Sequence, residues 1–413
     1  MKEYLVEQLN APVPAARIDV LRELKVLHER GLLAPPETGI NVNNHIHTIY
    51  SFSPYSPTKA VYLAWNSGLA TAGIIDHDSV GGVREFIEAG SVIGLPVTVG
   101  YECRCSVTGS PFEGRRLNNP DQLSVAYVTM HGIPHHNLEE AERFLKPYRN
   151  SRNIRNRKMV EKLNRKLFPY ELELDFDADV LPLSQFDNGG SVTERHILYA
   201  LAAKITDSEL SRQLLLDQFK SQLIDSFFVE ADDELPHITE FVRAAEKLGA
   251  IPAYAYMGDV GVSVTGDKKP QAFEDSYLDE LLGYIKDVGM RAVTYMPARN
   301  TPVQLERIKR LCGEYGFFQI SGEDVNSPLQ RFICEKIETP EFRHLIDSAW
   351  ALIGHELVSS QEQSASQGQN ASQGQNASQG QGFGMFSRET EIAMPDLDSR
   401  VVYFADIARE HYK

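Results

Sequence analysis

Residues 68–78 read GLATAGIIDHD, and their plan recurs as KLGAIPAYAY (247–256), VGMRAVTYMP (288–297) and EYGFFQISGED (314–324). Each stretch is a helix end, a glycine cap, an apolar strand and a polar tip. Short apolar runs at 40–46, 71–75, 95–101, 123–130, 250–257, 290–296 and 317–320 alternate with helix-like segments at 58–67, 82–93, 238–248, 277–288 and 303–315. The alternation predicts an α/β fold with a mostly parallel sheet, open or closed into a barrel. Polar tips at the C-terminal ends of such strands are where barrels carry chemistry.

The flanking sequence divides around this pattern. Residues 1–38 carry Ile18, Val20, Leu21, Leu24 and Leu27 at helical spacing and predict a helical extension. Residues 39–137 and 237–358 hold the two parts of the barrel. Between them, 138–236 break the alternation, with Met159, Val160, Leu163 and Leu167 marking the stripe of a helical insertion. Residues 359–384 contain SQGQNA from Ser366 and again from Ser372. With so few apolar side chains they cannot offset the entropy of ordering, and a structureless linker is expected. Residues 385–413 regain helical apolar spacing in VVYFADIAREHYK and are predicted to pack back on the barrel.

Composition narrows the function classes. The 413 residues are 42% hydrophobic and 24% charged, which supports a real core. A formal net charge of −16 argues against nucleic acid, whose phosphates call for clustered Lys and Arg. No run is long enough to span a bilayer and no leader is visible, so no membrane partner and a cytoplasmic location are expected. Oligomeric state leaves no mark on the sequence. Cys103, Cys105, Cys312 and Cys334 form no C-x-x-C pair, and Cys103 with Cys105 reads as two small residues on one face of a buried strand.

NVNNHIHT (41–48) places His45 and His47 on one side of a strand end, because side chains alternate. The next tips offer Asp76, His77 and Asp78, then Glu102, then Glu323 and Asp324. If the strands close, these converge on one rim, and imidazole with carboxylate suits zinc, manganese or iron.

Together the H-x-H, the D-H-D tip after GLATAGII, Gly100-Tyr101-Glu102 and Asp324-Val325-Asn326-Ser327-Pro328 resemble the polymerase and histidinol phosphatase (PHP) superfamily over 41–328. RNIRNRKMVEKLN (152–164) and VTERHILYAL (192–201) look like the insertion of its small-molecule phosphoesterase subgroup. The resemblance implies a distorted seven-stranded (β/α) TIM-like barrel and metal-dependent phosphoester hydrolysis. It implies one metal on His45, His47, Glu102 and Asp324. Two further metals would depend on positions held by Ser53, Tyr127, Tyr256 and Asn326, which depart from the family pattern. One divalent ion (Mn, Fe or Zn) per chain is the resulting expectation, with His77, His131 and Asn326 as further candidate ligands.

For the substrate side, the basic run Arg152, Arg155, Arg157, Lys158, Lys162, Arg165 and Lys166 reads either as a solvated helix face or as an anion clamp led by Arg155 and Arg157. His196 and Arg299 are further candidates for contact with a small phosphorylated substrate. His77 is a candidate proton shuttle and Asp78 its orienting partner. Amide or lactone hydrolysis, and a degenerate barrel that binds without turnover, are the alternative readings.

Overall fold

A computed structural model describes residues 1–37, 39–261, 271–370 and 384–413, with 361–370 as backbone alone. Helices α1 (Lys2–Gln8) and α2 (Pro14–Glu29) precede β1 (Val42–Ile46), α3 (Pro57–Asn66), β2 (Thr71–His77), α4 (Val83–Ile93), β3 (Val97–Ser106) and β4 (Val125–His131). Then come α5 (Leu138–Leu167), α6 (Glu194–Ile205), α7 (Glu209–Gln222) and α8 (Ile224–Phe227). The alternation resumes with α9 (Ile238–Leu248), β5 (Ile251–Ala255), α10 (Leu278–Val288), β6 (Ala292–Tyr295), α11 (Pro302–Tyr315) and β7 (Phe318–Ser321). The chain ends in α12 (His344–Asn370), α13 (Arg388–Ala393) and α14 (Leu397–His411).

The glycine caps act as their positions predict. Gly249, Gly289 and Gly316 end α9, α10 and α11 at φ of 66°, 103° and 65° and turn the chain into β5, β6 and β7. The seven strands pair in sequence order, and a bridge between Ile46 and Val325 brings the two edges together. This is a seven-stranded α/β barrel. One strand departs from the parallel expectation, since β4 runs antiparallel to both β3 and β5. Its carboxyl end therefore lies toward the opposite end of the barrel from the other strand tips.

Inside the insertion, Met159, Val160, Leu163 and Leu167 pack with Phe176, Ile197, Leu201 and Phe227 in a cluster of their own. The amino-terminal ends of β5, β6 and β7 present Ile251, Ala253, Ala292 and Phe318 to Ala351 and Leu352 of α12 and to Phe404 of α14. α12 thus plugs the end of the barrel away from the polar tips. It is pinned by buried Glu356, which accepts from Thr98 Oγ1 (2.5 Å), Val99 N (2.9 Å) and His135 Nε2 (3.0 Å). Burial pushes the Glu356 carboxyl above its ordinary pKa. The helix runs on to Asn370, into the Gln/Ser/Gly-rich stretch that composition leaves structureless, and the rest of that stretch, 371–383, lies outside the described residues.

α12 and α14 cross at Gly354, where an added Cβ would sit 1.9 Å from the Phe404 carbonyl oxygen. Glycine to alanine inside a helix ordinarily gains about 1 kcal/mol. At this crossing, overpacking reverses the sign. Gly354→Ala should lose about 1–3 kcal/mol in denaturant unfolding of the full chain.

Candidate metal centre

β1 delivers both histidines to the rim, and the polar tips of β2, β3 and β7 face them. In register, His77 lies opposite Glu102 across the β2–β3 pair. Main-chain bonds from His47 N to Val325 O (3.0 Å) and from Val325 N to His45 O (3.1 Å) bring Asp324 alongside the pair. The donor atoms then crowd together. His47 Nε2 is 3.2 Å from His45 Nε2, 3.3 Å from Glu102 Oε1 and 3.3 Å from Asp324 Oδ1. His45 Nε2 is 3.6 Å from Glu102 Oε2, and His77 Nδ1 is 2.9 Å from Glu102 Oε1.

Ligands about 2.0–2.2 Å from one tetrahedral ion lie about 3.3–3.6 Å from each other. His45, Glu102 and Asp324 each stand at or near that spacing from His47, as Glu102 does from His45. The tautomers suit the task as well. Ser51 Oγ donates to Asp76 Oδ1 (2.5 Å), so it accepts from His47 Nδ1 (3.2 Å), and the His47 lone pair is left on Nε2. Asp76 also accepts from Thr48 N (2.7 Å) and Thr48 Oγ1 (2.6 Å), which fixes the turn carrying both histidines. Burial opposes charge on Glu102, but His77 and His45 hold its carboxyl well below the usual range. Asp324 is likewise lowered against its burial, chiefly by the bond to His47. Burial lowers His77, yet Glu102 outweighs it and raises that imidazole above its ordinary pKa. The donor set fits a divalent ion, with two triads that share His47: His45–His47–Asp324 and His47–His77–Glu102.

Other candidates lie elsewhere. His131 pairs with Gly100, two residues before Glu102 on β3, and so sits about 7 Å deeper in the barrel. It is buried with no protein partner on Nε2, and burial pushes its pKa down to about 3. Tyr256 turns its hydroxyl to Asp275 (2.7 Å), and Asn326 donates to Asp324 Oδ1 (2.6 Å). Asp78 does not orient His77; its carboxylate takes Arg152.

The anion clamp is corrected by the structure. Arg155 is buried and bonded to Glu194 and to Glu234 Oε2 (2.6 Å), while Arg152 joins Asp78 and Glu194, and Arg104 joins Glu234. Three guanidinium groups and three carboxylates form one neutral buried chain between barrel and insertion. Burial disfavours the Glu194 charge, but Arg155 and Arg152 hold its carboxyl well below the usual range. Arg157 points outward to Asp177 and stacks on Phe176. His196 caps α6, accepting at Nδ1 from Thr193 N (3.0 Å), and burial pushes its pKa down to about 3. Arg299 reaches back to the Met257 carbonyl (3.4 Å). Sequence reading missed Arg195, whose Nη1 donates to Asn326 Oδ1 (2.9 Å) beside the cluster. Nothing local marks it, because its partner lies far along the chain.

No family model matches the sequence, and neither does any curated protein. Solved structures do match. A Bifidobacterium adolescentis protein proposed to be a metal-dependent phosphoesterase is 21% identical, with a TM-score of 0.54 over 76% of this chain and 98% of its own. An amidohydrolase from Chromobacterium violaceum, with bound sulfate and no metal, is 17% identical with a TM-score of 0.54 over 75% and 96% of the two chains. These likenesses establish the fold.

Removing Arg155 takes one partner from each of two carboxylates and leaves the buried chain one positive charge short, whereas removing Arg157 uncovers a solvated carboxylate. Arg155→Ala should therefore cost about 3–5 kcal/mol in denaturant unfolding. Arg157→Ala should leave the transition nearly unmoved. Equal effects would contradict this placement of the two side chains.

Proposed function

We propose that this PHP-type barrel is a metal-dependent hydrolase that cleaves a phosphoester of a small phosphorylated metabolite, with one Mn, Fe or Zn ion per chain. The observation that carries the reading is the gathering of His45, Glu102 and Asp324 around His47, each with a donor atom 3.2–3.3 Å from His47 Nε2. A bound divalent ion supplies a Lewis acid and brings the pKa of its water toward neutrality. His47 is held for this task by Ser51 and Asp76, and Glu102 is shared between the histidines. His77, anchored through Nδ1 on Glu102, is the group placed to move a proton at the reacting oxygen. The insertion reaches this side of the rim through Arg195, which donates to Asn326.

One observation favours a second reading. Arg152 and Arg155 are neutralised by Asp78, Glu194 and Glu234, which leaves less free positive charge than a phosphate group would draw on. Amide or lactone hydrolysis asks for no such charge. Arg195 beside Asn326 and the sulfate held by the Chromobacterium barrel support the anionic substrate.

The full-length protein, purified without chelator, should carry about one equivalent of metal by elemental analysis. Asp324→Ala should lose it, together with more than about 100-fold of kcat/KM on phosphoester substrates, beyond the cost of losing an outer partner. Turnover of amides or lactones with silence on phosphoesters would select the second reading. A wild-type protein that takes up no metal after soaking with these ions would overturn both.

A further inference from the structure

Arg195 lies in the first turn of α6, on the insertion, yet it reaches the metal centre of the barrel. Its Nη1 donates to Asn326 Oδ1 (2.9 Å), and Asn326 Nδ2 donates to Asp324 Oδ1 (2.6 Å). That same carboxylate oxygen stands 3.3 Å from His47 Nε2. We propose that Arg195 is a positioning residue for the metal-binding carboxylate Asp324, acting through Asn326; the inference rests on the metal reading above.

An asparagine amide has one accepting end and one donating end, nearly equal in shape, and its neighbours decide which way it faces. A guanidinium can only donate, and an ionised carboxylate can only accept. Placed at the two ends of Asn326, they leave one orientation. Asn326 Oδ1 is thereby committed to Arg195 and withdrawn from metal binding, and Nδ2 becomes a fixed donor to the ligand. The backbone of Asn326 is held too, its N–H donating to Gln330 Oε1 (2.7 Å).

The guanidinium is itself braced. It stacks 5.4 Å from the centroid of Phe52, whose ring meets His196 edge-on at 4.8 Å. Phe52 adopts φ of 73°, a left-handed conformation that aromatic side chains rarely hold. Such strain persists only where the surroundings over-determine it, and it gathers at functional sites. The insertion is therefore coupled to the metal site by a specific relay, and Asn326 works as its middle link.

The test measures affinity of the full chain for Zn2+ and for Mn2+ by competition with a chromogenic chelator, which needs no substrate. Arg195→Ala and Asn326→Ala should each weaken metal binding by about tenfold, as loss of an outer partner does. Because the two act in series, the double variant should be no weaker than the weaker single variant. Arg195→Lys should recover part of the loss. Thermal unfolding of the metal-free variants should stay near wild type, which separates the relay from a merely structural role. Unchanged affinity in both single variants, or losses that add in the double, would overturn the relay and leave the hydrolase reading standing. A wild-type chain that binds neither ion would overturn both.

Discussion

Two backbone hydrogen bonds decide whether the candidate metal ligands meet. His47 N to Val325 O and Val325 N to His45 O tie the first strand to the segment after the last. The bridge sets Ile46 opposite Val325, and both side chains are fully buried in the main core. Because side chains alternate, His45, His47 and Asp324 must then face the other way, into the barrel mouth. A slip of one residue would reverse every one of them. The apolar pair Ile46 and Val325 therefore holds the register that the ligands need. Packing energy in the core and donor geometry at the rim are one constraint.

Much of this was legible in the sequence because it is local. The glycine caps at 249, 289 and 316 and the apolar runs after them are periodic signals, and H-x-H declares its own geometry. Direction is not periodic, so the antiparallel course of β4 could not be read from its apolar run. Partners are not local either. Arg155 looked like a free cation on a basic helix, but Glu194 and Glu234 lie 39 and 79 residues away in sequence. The link from Arg195 to Asn326 spans 131 residues. Asp76 stood in view within the D-H-D tip; its grip on Thr48 and Ser51 depends on how the turn after β1 folds back over β2.

The buried ion chain from Asp78 to Arg104 changes what the insertion is. Buried pairs roughly break even against apolar packing, but their geometry admits few alternatives. Arg152, Arg155 and Arg104 with Asp78, Glu194 and Glu234 thus fix one seat for the insertion over the rim. Asp78 turns to its partner through φ of 51°, a conformation that costs energy in a residue with a side chain. The chain is neutral, so it contributes rigidity to the mouth and little field.

That neutrality bears on how many ions the rim can hold. Paired metals in hydrolytic sites stand about 3.5–4 Å apart and each draws on its own ligands. The two triads at this rim share His47, and three neighbouring polar groups are engaged elsewhere, while His131 sits about 7 Å deeper in the barrel. Asp78 is bound to Arg152, Asn326 Oδ1 to Arg195, and the Tyr256 hydroxyl to Asp275. Guanidinium groups take up two of these positions, and they bring positive charge without needing ligands of their own. On the proposed reading, His45, His47, Glu102 and Asp324 would hold one ion that supplies a Lewis acid, while Arg195, through Asn326, steadies Asp324. On that reading the mouth depends less on binding several metals and more on how the insertion is seated.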